Sequence, residues 1–316
     1  MRDYIGYIFN YTRIKRVIFH PIYAFRRLRY ERAKRLSYRR FMYECAKRLY
    51  KDKPVKLDLE DLNFHLFVRL SDVGISRELY LTKAHEKEAS TIFKSYLKPG
   101  QTIIDVGANI GYYPILEAVN ISPGGRIFAI EPGPESYELL KYNTTSNGYE
   151  DVISTYNLAI GDVRGKATLY ISSQSNLNSM LNDPLFKSYA PIVGSVQVDM
   201  ITLDDFISQN NILSDKIDIV RMDVEGYELK IFKGMTKLLE NSQRLRIFFE
   251  IHPKIIKTHY GFDSYQDFLK MLDSYGFKID NCLPRAEAPQ LNKLNKISTF
   301  EDLIKFNDTL LLFISK

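Results

Sequence analysis

From residue 101 onward the chain alternates short apolar runs with longer amphipathic stretches. Thr102 to Val106 and Arg126 to Ile130 read as buried strands, and a helix from Pro134 to Asn147 follows the second. Val152 to Ile160 reads as a third strand and Ile217 to Val224 as a fourth. A helix from Tyr227 to Leu239 precedes a fifth strand, Leu245 to Ile251, and Phe277 to Asn281 and Leu310 to Ile314 close the series. Strands that are apolar throughout and separated by helices form a parallel sheet covered on both faces. Only a loop separates the last two, so one of them is expected to run antiparallel. The pattern predicts an α/β, doubly wound, mostly parallel seven-stranded sheet.

Ahead of this series, residues 54–100 read as a lead-in. Leu57-Asp58-Leu59 and Phe64 to Val68 alternate as a small hairpin does, and a helix from Lys83 to Tyr96 stops at Pro99-Gly100. The stretch from Gly165 to Ser195 interrupts the alternation. Lys166 to Ile171 fits an extra strand, and Ser172 to Asn182, rich in Ser and Asn, reads either as a substrate lid or as a plain surface loop. Residues 1–53 have a different character. Ile14, Val17, Ile18, Ile22, Phe25 and Leu28 share one helical face, with Arg13, Lys15, Arg16, Arg26 and Arg27 on the other. Pro21 divides the pattern, and a second basic helix is expected from Arg32 to Tyr50. The expected organisation is a basic amphipathic helical arm over 1–53, a lead-in hairpin and helix over 54–100, and a ligand-binding domain over 101–316.

Charge sharpens this division. The 316 residues carry a net charge of +6, but residues 1–53 hold 16 Lys/Arg and 4 Asp/Glu (+12), so the remainder sums to −6. The basic character belongs to the arm and points to an anionic partner for it: a membrane surface, a phosphate-bearing substrate or nucleic acid. The two cysteines, Cys45 and Cys282, are far apart, which argues against a disulfide framework and fits a reducing cytoplasm. The apolar run from Tyr4 to Thr12 is broken by Arg13, Lys15 and Arg16, so neither a secretory leader nor a membrane span is expected there. A cytoplasmic protein is the expectation, with residues 1–50 either in peripheral contact with a membrane face or packed as a helical hairpin on the main domain or at a dimer interface.

The chemistry concentrates at strand ends. In an open α/β sheet, ligands bind at the carboxyl ends of the strands where strand order reverses. The loop Asp105-Val106-Gly107-Ala108-Asn109-Ile110-Gly111 falls at such an end. Gly107 and Gly111 permit a tight turn and close backbone approach, and Asn109 is among the few other residues that tolerate positive φ. Glu131 ends the next strand, where a carboxylate can accept both hydroxyls of a ribose. A nicotinamide dinucleotide would want G-x-G-x-x-G; this chain offers G-x-N-x-G, which lacks the glycine that lets a pyrophosphate press on the helix. S-adenosylmethionine (SAM) fits the loop better, with a purely structural loop as the remaining alternative.

Five motifs occur in order: Asp105-Val-Gly-Ala-Asn-Ile-Gly-Tyr-Tyr113, Ile130-Glu131-Pro132, Leu158-Ala-Ile-Gly-Asp162, Met222-Asp223-Val-Glu225-Gly-Tyr-Glu228 and Glu250-Ile-His252-Pro253. Together they resemble the FkbM family of SAM-dependent methyltransferases, from roughly Arg77 to the C-terminus, with the arm outside the match. The resemblance implies the class I methyltransferase, Rossmann-like sheet of six parallel strands and one antiparallel. It also implies O-methylation of sugars or other small hydroxylated metabolites. On that pattern Asp105 to Gly111 border the methionine part of SAM, and Glu131, followed by Pro132, holds the ribose. Ala159, Ile160 and Asp162 lie near the adenine, and Asp223 sits beside the sulfonium.

A sulfonium is a cation, so Tyr112 or Tyr113 could offer it a ring face; both also read as helix-packing residues. A hydroxyl is a poor nucleophile until its proton leaves, which makes a base useful. Asp223, Glu225, Glu250 and His252 are the candidates, with His252 closest to neutrality in its ordinary pKa. His252 also reads as a strand-end cap, and Glu225 as a ligand for backbone amides in the turn after it. A divalent ion on Asp223, Glu250 and His252 is compatible in ligand type but not demanded by the spacing. Of His85, Glu86 and Glu88, one carboxylate could reach the SAM amino group, though a solvated helix face fits better. Asn176, Asn178 and Ser179 could meet a sugar's hydroxyls.

The leading expectation is therefore O-methylation of a hydroxyl on a sugar or glycan, lipid-linked glycans included. Nucleic-acid methylation is the rival enzyme reading. Base methyltransferases present Asn/Asp-Pro-Pro-aromatic where this chain has Asp223-Val-Glu-Gly226, and the extra carboxylate repels a polyanion. A non-catalytic SAM-binding module is the rival outside enzymes.

Overall fold

The computed structural model describes residues 37–183, 190–285 and 297–316. The chain divides into two compact units, 1–53 and 54–316. In the first, residues 37–50 form helix α1, which exposes Tyr38, Phe41 and Leu49 beside Arg39 and Arg40. The amphipathic face from Ile14 to Leu28 and the interruption at Pro21 lie outside the described residues. Among the described residues no helix is long and apolar enough to cross a membrane.

The second unit opens with the expected hairpin, β1 (Val55–Leu59) antiparallel to β2 (Phe64–Val68), with Leu57 opposite Leu66. The helix expected from Lys83 to Tyr96 is present but starts one turn later, and a further, unexpected helix precedes it. Helix α2 covers Ile75–Thr82 and α3 covers Lys87–Tyr96, because Lys83 and Glu86 both adopt left-handed backbone, with φ 58° and 43°.

The main sheet contains β3 (Thr102–Val106), β4 (Arg126–Ile130), β5 (Ile153–Tyr156), β9 (Ile219–Met222), β10 (Arg246–Ile251), β11 (Lys278–Pro284) and β12 (Leu310–Ser315). Its order is β11-β12-β10-β9-β3-β4-β5. The pairs β3–β4, β4–β5, β3–β9 and β9–β10 are parallel, whereas β12 is antiparallel to both β10 and β11. Six strands thus share one direction and β12 opposes them. Strand order reverses between β3 and β9, so the loop after β3 opens at the switch point.

Side-chain alternation along β10 places helices on both faces. Phe248 stacks on Phe93 of α3 and approaches Tyr113 of α4 (Tyr112–Ile121), with ring centroids at 4.7 Å and 6.1 Å. The next residue, Phe249, packs at 5.2 Å on Phe232 of α7 (Glu228–Lys233) and at 6.4 Å on Phe268 of α10 (Phe262–Ser274). Helix α5 (Pro134–Ser146) ties the hairpin to this body through Asn143, which accepts from Phe67 N at 2.6 Å and donates to Ile110 O at 2.8 Å.

The third predicted strand proves to be two. After β5 the chain leaves the sheet at Asn157, whose side-chain amide donates to the carbonyls of Glu131 and Pro132 at the end of β4. The following β6 (Ala159–Gly161) pairs with β8 (Ile192–Thr202), which also pairs with β7 (Gly165–Ser172), giving a separate three-stranded sheet. Helix α6 (Leu203–Gln209) returns the chain to β9, its first turn capped by Thr202. The helix expected over Tyr227 to Leu239 is likewise broken, into α7 and α8 (Thr236–Asn241). Gly234 stands at the break because a Cβ there would lie 2.0 Å from the Gly161 carbonyl of β6. Helix α9 (Pro253–Tyr260) follows β10, and α11 (Phe300–Leu303) precedes β12 behind a Thr299 capping box.

Candidate active site

A cleft of about 800 Å³ opens at the carboxyl ends of β3, β4 and β9 and beside the start of β6. Its floor is the loop after β3. Gly107, at φ 83°, passes so close to β9 that a Cβ would lie 2.1 Å from the Asp223 carbonyl. Asn109 takes the expected left-handed backbone, φ 48°. Both features bring backbone within reach of a ligand.

Glu131 anchors the loop. It is buried, and its two oxygens accept from Asn109 N at 2.9 Å and Gly133 N at 2.8 Å. Burial pushes its pKa up to about 7, against the lowering effect of those two amides. Each oxygen retains acceptor capacity for a hydroxyl. Gly107, Ala108, Asn109, Tyr112, Glu131, Pro132, Ala159, Ile160 and Asp223 all line this cleft. The donor set fits SAM in kind: a carboxylate for a ribose diol, apolar Leu158, Ala159 and Ile160 for an adenine, and Asp223 for a sulfonium.

Three expected cofactor residues are placed elsewhere. Asp105 is fully buried beneath the cleft and accepts from Arg221 Nη1 at 2.9 Å. Gly111 caps α4 behind the loop, against Leu140. Asp162 pairs with Lys230 Nζ at 2.7 Å and does not line the cleft. Arg221 also donates to Asp223 at 3.3 Å and lies 3.7 Å over the Tyr113 ring. Tyr113 therefore offers that face to a guanidinium of the protein rather than to a sulfonium. Tyr112 packs edge-on against Phe64, His85 and Tyr113 and donates to His85 O at 3.1 Å.

A second, larger cleft of about 1730 Å³ adjoins the first, sharing His85 and Asn176. Glu225, Glu250 and His252 line it, as does Glu86. His252 is buried with Nε2 at 3.2 Å from Glu225 and 3.7 Å from Glu250, and Nδ1 at 3.4 Å from Glu228. Burial by itself would lower the imidazole's pKa, but Glu228, Glu225 and Glu250 outweigh it and hold it well above the ordinary value. The surrounding carboxylates thus favour the imidazolium over the free base that an ordinary histidine pKa would give. Glu225, with left-handed φ 52°, binds this imidazolium, and the turn amide Gly226 N goes instead to Glu228 Oε1 at 3.1 Å.

Glu250 is forked by Arg285, with Nε at 2.6 Å from Oε1 and Nη2 on Oε2, while Arg285 Nη1 bonds Glu86. With both Glu250 oxygens on a guanidinium and His252 protonated, this donor set does not fit a divalent ion. Glu86 is not on a solvated face. It accepts from Tyr113 OH at 2.7 Å, and although burial opposes ionisation, His85 and Arg285 bring its pKa to about 2. Glu88 is exposed as expected. Asp223 lines the first cleft, its pKa raised to about 6, first by burial and then by Glu250 of the second cleft, against Arg221 and Arg285.

Residues 173–183 cover both openings. Ser175, Asn176, Asn178 and Met180 line the first cleft, and Asn176 and Leu177 the second. The segment is pinned by Ser179 Oγ donating to Glu225 O at 2.9 Å, Ser175 N donating to Asp72 at 3.0 Å, and Asp183 against His259 at 2.5 Å. Ser179 is thus an anchor of this cover and is itself buried.

Sequence reasoning missed Arg221 and Arg285. Arg221 had a signal, since a cation inside the otherwise apolar Ile219–Met222 needs a buried anion. Arg285 had none, because its partners are remote in sequence.

Reversal of strand order over a glycine loop, with Glu131 on the next strand and Asp223 across it, defines a SAM-dependent methyltransferase. Residues 105–279, more than half of the chain, match the family model described as the methyltransferase FkbM domain, and the chain belongs to that family. It is similar to the hexuronic acid methyltransferase AglP of Haloferax volcanii, at 25% identity over 203 residues, 63% of this chain and 67% of that one. Among solved structures it resembles the methyltransferase FkbM of Methylobacillus flagellatus KT (14% identity, TM-score 0.39, 74% of this chain and 52% of that one). It also resembles the O-methyltransferase of Bacillus cereus in complex with SAH (12%, TM-score 0.43, 74% and 82%).

Proposed function

We propose that this enzyme methylates a hydroxyl of a sugar or glycan, with the methyl donor in the cleft over Gly107 and the acceptor in the adjoining cleft. SAM supplies an electrophilic methyl group when bound. The observation that carries the reading is the position of Asp223, which lines the donor cleft and is coupled electrostatically to Glu250 of the acceptor cleft. With a pKa of about 6, Asp223 is ionised near neutrality and takes the proton that leaves the acceptor hydroxyl. Glu250 and His252 act on the acceptor side by fixing the charged wall against which the hydroxyls are held. Glu131 holds the ribose. The relative named for hexuronic acid supports a carbohydrate acceptor only as a class; at 25% identity it does not fix whether the sugar taken by this chain bears a carboxylate, which depends on this chain's own lining.

The basic arm, at +12 over residues 1–53, is assigned contact with an anionic membrane on its cytoplasmic face, which suits a lipid-linked glycan. Transfer of labelled methyl from SAM into fractionated cell extract tests the reaction. Label in the glycan or glycolipid fraction that disappears with Asp223→Asn is expected. Label confined to RNA would overturn the acceptor class. Liposome sedimentation with and without residues 1–50 tests the arm, and unchanged sedimentation would remove the membrane assignment.

A further inference from the structure

We propose that the acceptor cleft admits a neutral sugar ring with adjacent hydroxyls and excludes an acceptor bearing a carboxylate, an inference that rests on the glycan reading above. The inner wall consists of side chains nine-tenths or more buried: Glu86 and Glu225 are 9% exposed, Glu250 and His252 5%. The wall's two cations are already engaged. All three guanidinium nitrogens of Arg285 bond carboxylates, Nε and Nη2 to Glu250 and Nη1 to Glu86. His252 lies against Glu225, Glu228 and Glu250 at 3.2, 3.4 and 3.7 Å. Among the described residues, three wall carboxylates therefore face two cations, and Glu228 behind the imidazole adds a further negative charge.

The outer lining does not reverse this balance. Exposed Lys87 and Lys254 stand with exposed Glu78 and Glu88, and Asp308 adds another carboxylate. His85 is held by Glu78 at 2.7 Å and Glu86 at 3.6 Å. Lys87 and Lys254 stand at the exposed rim, so a carboxylate carried past them to the inner wall would have to break the Arg285 fork or remain unpaired beside Glu86, Glu225 and Glu250. Both are costly in a site removed from water. Hydroxyls meet the opposite situation. Each donates to a carboxylate oxygen that is fixed in place and has spare acceptor capacity, and adjacent hydroxyls can bridge two such oxygens. Repulsion of the wrong acceptor supplies specificity without a dedicated contact to the right one.

The test uses the full chain saturated with SAH and matched probe pairs: methyl β-D-glucopyranoside with methyl β-D-glucuronide, and the corresponding galactose pair. Binding is followed by saturation-transfer NMR and calorimetry, so turnover is not required. The neutral glycoside is expected to bind at least about tenfold more tightly than its uronide. The preference should persist in added salt, because charges this far out of solvent are screened little; a preference that salt abolishes would place the repulsion on the exposed rim and overturn the proposal. Glu250→Gln frees the Arg285 fork and should narrow the preference; the salt series needs no variant and stands if that protein misfolds. A uronide that binds wild type as well as or better than its neutral partner would overturn the proposal alone, whereas binding of neither probe with SAH bound would overturn the glycan reading and the proposal with it. Failure to bind SAH would instead overturn the donor site.

Discussion

Asp105 and Arg221 stand opposite each other in register on adjacent parallel strands, joined at 2.9 Å and both almost wholly out of solvent. The pair underlies the donor cleft, since Arg221 continues to Asp223 and over Tyr113. Asp105 thus acts on the site through Arg221.

Removing one partner leaves the other charge buried without compensation. Arg221→Met is expected to destabilise the protein by about 3 kcal/mol or more. Combining it with Asp105→Asn should cost less than the sum of the two single changes. Urea unfolding of the four proteins measures both quantities.

Glu131→Gln should weaken SAH binding by about tenfold to a hundredfold, the loss of hydrogen bonds to a charged group, read by calorimetry. The same carboxyl has a pH signature. Its pKa rises from 4.5 to about 7 on folding because of burial. Between those values the folded state holds more protons than the unfolded state, so this group's contribution to stability falls as pH rises through the window. Wild type should lose stability relative to Glu131→Gln across that range, a difference visible in paired urea midpoints.

Turnover should fall as pH drops below about 6, where Asp223 takes up a proton. Asp223→Asn should lower kcat by about 10²–10⁴ while SAH affinity stays within about tenfold. A pH–rate profile and a calorimetric titration of the variant separate these effects.

His252→Gln removes the cation shared by Glu225, Glu228 and Glu250. Because the folded imidazolium is held well above 6.5, its stabilisation is complete below that pH and is lost as pH climbs through the folded value. The variant's deficit should therefore be largest near about pH 6 and shrink in alkaline buffer, as denaturation midpoints at the two extremes would record.

The parts legible in the sequence are those fixed locally. Apolar periodicity located all seven strands of the main sheet, and the Gly107–Gly111 loop and Glu131 declared themselves through backbone and hydrogen-bonding demands. Boundaries failed where a distant contact decides them. Val152 to Ile160 reads as one strand until Asn157 binds the end of β4, and Tyr227 to Leu239 reads as one helix until β6 presses on Gly234. The protonation of His252 was hidden for the same reason: Glu225 and Glu228 are near in the motif, but only the fold turns them onto a strand-end histidine. Arg285, 199 residues from Glu86, is the extreme case.

The placement of β12 has a consequence for synthesis of the chain. β12 lies between β10 and β11, so β11 has no hydrogen-bonded neighbour in the main sheet until residues 310–315 have been made. During translation the apolar edge of β10, Ile247 to Ile251, waits unpaired while about sixty further residues emerge. An open strand edge is a template for another chain. The nascent enzyme is therefore exposed to association with its neighbours on a polysome from the emergence of β10 onward, and the arrival of one antiparallel strand ends that interval.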